Sequence, residues 1–234
     1  SRVGIGLNNI LRCLKDSNVK ATFFVVGVVV ERNPDIISLI EEAGHEVGVH
    51  GYAHRKITIQ SPNEFHDDIG KAREVVEKYS ANPVTGYRAP YYTVTPKTYW
   101  ALDIIKDEGF VYDSSIYPLS GHPTYGFPSA PLDPFVLTNG LIEFPMSTVN
   151  ILRRNIPFGS GSYFRIFPYM FTNYALSLTN RNKRYVTFNM HPWEFDSDQV
   201  KIPIKPLNYL RHYFNRRNNL KKLYKLLSDF EFTT

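Results

Sequence analysis

The chain has 234 residues, 43% of them hydrophobic and 21% charged, which suffices for a buried core and excludes wholesale disorder. A single cysteine, Cys13, excludes an internal disulfide framework and a multi-cysteine zinc site, and no run reaches the roughly 18 apolar residues of a membrane span. The net charge of +5 is a C-terminal feature: residues 201–234 hold eight Lys/Arg and two Asp/Glu, which reads as a solvated helix face, or alternatively as a surface for an acidic polymer or membrane.

The opening Ser-Arg-Val-Gly lacks the basic and apolar regions of a signal peptide. Ile5, Leu7, Ile10, Leu11 and Leu14 recur at helical spacing, predicting a helix that ends near Ser17-Asn18. Residues 21–27 (ATFFVVG) form a continuous apolar run of strand length. Asn33-Pro34 opens a second helix closed by Gly44, and residues 46–50 (EVGVH) make a second strand. Ser61-Pro62-Asn63-Glu64 is a capping box with Pro at the first helical position, and its helix runs to about Tyr79. A strand at 84–88, a helix from Thr95-Pro96 to Gly109 and a strand at 110–113 complete four alternations. That pattern is the signature of a parallel α/β sheet or barrel.

The alternation then stops. Residues 116–162 hold seven Pro among Gly and aromatic residues, with one clear strand at 141–144, and read as an excursion over one mouth of the fold. A helix at 167–178, a strand at 184–190 (RYVTFNM) and a helical tail over 207–230, broken near 215–219, follow. The organisation expected is one domain with an insertion at 116–162 and a basic helical tail from about 205.

Polar residues fall at strand ends. EVGV ends in His50, VTGY in Arg88, FVY in Asp113 and VTFNM in His191. In a parallel α/β fold these ends share one face, and that face carries the site. Any strand needs polar residues where it reaches water, which explains one or two of the four but poorly explains two histidines. His50 and His54 form an H-x-x-x-H pair on a strand end and its loop, two candidate ligands for Zn²⁺ or a similar ion that needs a third. Arg88-Ala89-Pro90-Tyr91 places a guanidinium where it can orient a carboxylate, and Pro90 fixes a turn that can aim the Tyr91 N–H as an oxyanion donor. His191-Pro192-Trp193-Glu194 groups an imidazole, an indole and a carboxylate, either a platform for a sugar ring or an aromatic lid on the core.

In order, HGYAH (50–54), RAPY (88–91), YDSS (112–115) and HPWE (191–194) resemble the motifs of the polysaccharide deacetylases, the NodB homology domain of carbohydrate esterase family four. The 116–162 insert and the LRHY…LLSDFEF ending are similar to the branch associated with exosortase and exopolysaccharide gene clusters. The resemblance implies a deformed (β/α) barrel of about seven strands and metal-dependent removal of N-acetyl groups from amino sugars of a polysaccharide. It makes His50 and His54 ligands of a divalent metal, with Zn²⁺ first and Co²⁺, Ni²⁺ or Mn²⁺ as alternatives. It makes Arg88 the group that orients the catalytic carboxylate, Tyr91 the oxyanion donor and His191 the general acid. Asp113 corresponds loosely to a later acidic motif that partners the histidine. Tyr92, Trp193 and Glu194 are assigned to substrate contact.

Two departures stand out. Gly51 replaces the Ser or Thr common after the first histidine. The family's first motif, a Thr-Phe-Asp-Asp-like strand end supplying the base and third ligand, would lie ahead of Ser1, so an upstream segment is expected to carry it. The sequence alone, without that motif, is expected to bind metal weakly and to be nearly inactive. Rival readings are a related amidase acting on a small substrate and a carbohydrate-binding pseudoenzyme. Nucleic acid is not an expected partner.

Overall fold

The computed structural model describes residues 2–196, 198, 203, 209 and 212–233. Its contacts divide the chain into two compact units, Thr22–Ile156 on one side and Ser1–Ala21 with Pro157–Thr234 on the other. Among the described residues, no helix is long and apolar enough to cross a membrane.

The first helix, α1, spans Arg2–Asp16, as its apolar spacing predicts, and buries Leu7, Ile10, Cys13 and Leu14. The unit Thr22–Ile156 then alternates. Strand β1 (Thr22–Val25) leads into helix α2 (Gly27–Arg32), which the apolar run had concealed, and α3 (Asp35–Glu42). Strand β2 (Glu46–Val49), helix α4 (Pro62–Glu77), strand β3 (Gly86–Tyr87), helix α5 (Ala101–Asp107) and strand β4 (Tyr112–Asp113) follow. The capping box of α4 forms: Glu64 N–H donates to Ser61 Oγ at 3.3 Å and Ser61 N–H to Glu64 at 2.8 Å. Such a cap stabilises a helix by about 1 kcal/mol.

The region 116–162 is less irregular than its proline content predicts. It supplies β5 (Phe135–Val136), β6 (Ile142–Glu143) and a hairpin of β7 (Thr148–Ile151) with β8 (Arg154–Pro157). The six-stranded sheet has the order β1-β2-β3-β4-β6-β5; β1 to β4 and β6 run parallel, and β5 is antiparallel to β6. The register aligns Val25, Val49, Tyr87, Asp113 and Glu143 in one row at the strand ends. His50, Arg88 and Ser114 each come one residue later. Gly48 and Gly86 make the sheet possible, because a Cβ at either would strike the neighbouring Phe24 or Tyr112 ring.

In the other unit, which also holds α6 (Gly161–Ile166) and α7 (Tyr169–Arg181), α1 packs with a 3₁₀ turn at Pro192–Phe195 and the C-terminal helix Asn219–Asp229. Gly6 on α1 lies against the Pro192 backbone, where any side chain would collide. Arg2 and Asp196 close the same contact with a 2.8 Å ion pair. The strand expected at 184–190 is reduced to one parallel bridge, Ser160 with Asn189, so His191 follows a bridge rather than a strand. The break in the tail falls at Asn215, in a left-handed conformation, ahead of a 3₁₀ turn at Arg216–Asn218. The first part of that expected helix, 207, 208, 210 and 211, lies outside the described residues.

Candidate active site

His50 is fixed through its ring. Its Nδ1 lies 2.6 Å from the carbonyl oxygen of Arg88. A carbonyl only accepts, so Nδ1 carries the proton and Nε2 is the acceptor nitrogen of the ring. The His54 ring stands 4.9 Å from that of His50 and 4.8 Å from that of Tyr91. The loop between the histidines is held from both sides. Asp68, on α4, accepts from Tyr52 N–H at 3.0 Å and Ala53 N–H at 3.3 Å. The first N–H groups of α2 donate to Gly51 and Tyr52 carbonyls at 2.9 and 3.0 Å. Gly51 adopts φ +69°, and a Cβ there would meet Asp68 Oδ2 at 3.1 Å. Glycine at this position therefore answers a backbone demand: a left-handed turn under a carboxylate leaves no room for Ser or Thr.

Arg88 is almost wholly buried. Its Nε donates to the Ser114 carbonyl at 2.9 Å and its Nη2 to Ser114 Oγ at 2.7 Å. The guanidinium also lies 4.3 Å from the Phe24 ring centroid, an arrangement favourable for cation–π attraction. The next residue, Ala89, donates its N–H to Ser115 Oγ at 2.7 Å. Beyond Pro90, Tyr91 and Tyr92 sit at φ +57° and +54°. Two consecutive left-handed residues with side chains store roughly 1–2 kcal/mol each, and such strain concentrates at functional turns. Tyr91 is exposed, whereas Tyr92 packs edge-on to Tyr117 at 5.4 Å and near Tyr125 at 6.1 Å. Tyr117 and Tyr125 stack in turn, so residues 117–125 brace the turn carrying Tyr92.

Asp113 does not reach the surface. It and Glu143, its register partner on β6, are both fully buried. This corrects the catalytic role expected of Asp113, since a sealed carboxylate touches no substrate. Burial raises its pKa, opposed by hydrogen bonds and by Arg88.

In the other unit, His191 is half-buried and its Nδ1 lies 2.7 Å from Glu194 Oε1. The Arg165 Nε donates to Glu194 Oε2 at 2.9 Å, and both partners are buried. Burial pushes the Glu194 carboxyl up, but its bonds to His191 and Arg165 more than reverse that and hold it below the usual range. Glu194 thus lies behind His191 rather than in contact with solvent, which corrects its assignment to substrate. The partner carboxylate of His191 is Glu194 and not Asp113. Trp193 stacks between His191 at 5.9 Å and His212 at 4.1 Å.

Within its unit, the structure brings together His50, His54, Arg88 and Tyr91; in the other it groups His191, Trp193 and Glu194. Sequence reasoning missed Asp68, Ser114, Ser115, Glu143 and Arg165. Two of these carried a signal: Glu143 is a lone charge within LIEF, and Arg165 a lone charge within SYFRIF. Two imidazoles fit a borderline divalent cation as part of its ligand set. Among the described residues, no group of three or more His, Cys, Asp or Glu could hold a metal ion.

A mostly parallel sheet with polar residues at its strand ends defines an α/β scaffold, and comparison specifies it. Residues 6–111 match the polysaccharide deacetylase family, and residues 114–234 match a family described as a domain of unknown function, DUF3473. The chain belongs to the DUF3473 family by its second half, and its first half is similar to the polysaccharide deacetylases. The peptidoglycan deacetylase of Helicobacter pylori is 29% identical over 121 residues, 52% of this chain and 40% of that protein. The peptidoglycan-N-acetylglucosamine deacetylase PgdA of Listeria monocytogenes is 40% identical over 82 residues, 35% of this chain and 18% of that protein. The chain thus spans well under two thirds of these relatives. A Mycobacterium smegmatis structure assigned as a polysaccharide deacetylase aligns with a TM-score of 0.65 at 21% identity, covering 97% of this chain and 72% of that one. Puue allantoinase aligns with a TM-score of 0.60 at 16% identity, covering 97% and 74%. These likenesses concern the fold, the α/β class of deformed (β/α) barrels.

Proposed function

We propose that the protein is a metal-dependent hydrolase that removes N-acetyl groups from the amino sugars of a polysaccharide. The observation that carries this reading is the His50 ring, held through Nδ1 by the Arg88 carbonyl and 4.9 Å from the His54 ring. His50 and His54 would hold the cation, Zn²⁺ first among candidates. When bound, that cation supplies polarisation of the acetyl carbonyl and of an attacking water.

The chain's own groups do the rest. Arg88, fixed on Ser114, orients a carboxylate base by its charge. The strained Pro90-Tyr91 turn directs the Tyr91 N–H toward the developing oxyanion. His191 gives a proton to the departing amine; Glu194 holds the ring in the Nδ1–H tautomer and stabilises positive charge on it. Trp193, half-buried and stacked on His212, adds an apolar edge beside His191 for contact with a sugar ring. The products are acetate and a de-N-acetylated unit.

The test is acetate release by the full-length protein from chitooligosaccharide, peptidoglycan and N-acetylated exopolysaccharide, with Zn²⁺ or Co²⁺ and after chelation. Activity should require metal and fall by about 10²-fold or more in His191→Ala. Glycan binding without release would favour the carbohydrate-binding reading. Turnover of a small cyclic amide alone would favour the amidase reading.

A further inference from the structure

We propose that Asp113 and Glu143 share one proton and, as a pair, position the turn that carries Arg88 and Tyr91. The two carboxyls are register partners on adjacent parallel strands, and both are fully buried. Two anions side by side in a sealed sheet interior repel, and retaining one proton between them removes the repulsion.

Hydrogen bonds occupy one oxygen of each carboxyl. Asp113 Oδ1 accepts from the Ser115 hydroxyl at 2.5 Å. Glu143 Oε1 accepts from the N–H groups of Ser115 at 3.2 Å and Ile116 at 2.9 Å. That leaves Asp113 Oδ2 and Glu143 Oε2, both sealed and without any donor among the described residues. One proton held between these two oxygens would give each a partner, which two anions cannot do. The charged and titratable groups facing the pair are Arg88 and Tyr87, both from the β3 side; the Tyr87 hydroxyl is buried and stays protonated. Burial, then the charge of Asp113, pushes the Glu143 carboxyl well up, so the pair retains the proton.

The consequence runs outward to the turn. The Asp113 charge draws the Ser115 O–H inward, which turns a Ser115 Oγ lone pair toward the Ala89 N–H 2.7 Å away. Glu143 meanwhile pins the backbone of residues 115 and 116, and the adjoining Ser114 takes two bonds from Arg88. Asp113 and Glu143 are therefore positioning residues: they touch no substrate and act through Ser114, Ser115 and Ala89.

The inference rests on the deacetylase reading only for its activity arm. The stability arm compares thermal unfolding of the wild type and Glu143→Gln between pH 6 and pH 9. Glutamine keeps the acceptor for both N–H groups and replaces the shared proton with a permanent one. A carboxyl whose folded pKa is raised contributes stability at low pH and loses it as pH rises. The wild-type midpoint should therefore fall by about 4 °C more than that of the variant; parallel curves would overturn the shared proton. In the activity arm, Glu143→Gln should stay within about threefold of wild type. Asp113→Asn/Glu143→Gln, which sets two amide NH₂ groups face to face, should lose roughly tenfold or more in kcat with little change in KM. Equal activity of the single and double variants would overturn the positioning role. If no form releases acetate, the deacetylase reading fails, while the unfolding curves still decide the pair.

Discussion

His50 and His191 are fixed through the same ring atom but by different partners. Nδ1 of His50 meets a neutral backbone carbonyl, whereas Nδ1 of His191 meets a buried carboxylate that Arg165 holds from behind. The first arrangement sets the tautomer without adding charge, which suits a neutral ring offering a lone pair. The second places an anion against the ring, which suits a ring that carries a proton and hands it on. The lesson is that the role of a histidine is written in what stands behind it.

The comparison can be broken at its most buried point. Arg165→Met should cost about 3–5 kcal/mol in urea unfolding, because it strips one partner from a sealed carboxylate. Acid titration sharpens the same contrast. Glu194 is held below the usual carboxylate range, so its contribution is present above the unfolded pKa and lost as pH falls through the folded one. Wild-type unfolding stability should drop steeply on acidification, and Glu194→Gln should show a shallower drop.

On the His50 side the support is backbone and loop, so the effects are smaller. Asp68→Ala removes two bonds from the loop between the histidines and should cost about 1–2 kcal/mol of stability. It should also weaken Zn²⁺ binding by roughly tenfold in a competition titration, while His191-dependent stability in acid is unchanged. Gly51→Ala should cost about 1 kcal/mol through its left-handed backbone. Smallest in functional effect is Ser61→Ala, which should cost about 1 kcal/mol of stability and leave zinc affinity unaltered.

Helices with a strong apolar period, α1 and the explicitly capped α4, were legible in the sequence to within three residues. So were the strand ends at His50 and Arg88, because short apolar strands stop where the chain turns polar. What was not legible depended on partners distant in sequence. Residues 184–190 alternate like a strand, yet among the described residues they pair through one bridge, Asn189 with Ser160. The β5–β6 pairing and the hairpin of β7 with β8 were hidden by prolines that sit between the strands or at a strand's last position. Glu194 looked available for substrate because it stands in one short run with His191 and Trp193; only the fold shows Arg165 behind it. Asp113 looked like a site residue because it closes a strand, and its row partner Glu143 lies thirty residues on in sequence.

Cys13 has a practical use. The chain's one thiol lies in the α1 core, fully buried and pushed up to about 11 by burial and by Asp16. A thiolate-directed reagent at neutral pH therefore finds no ready target in the folded protein. A cysteine introduced at Leu152, the exposed tip of the hairpin, would be the only fast-reacting thiol, so a fluorophore or spin label could be attached there without first removing the native one. Slow labelling of Cys13 would then act as an internal clock for opening of the unit that contains it, read in the same sample as the label at the tip.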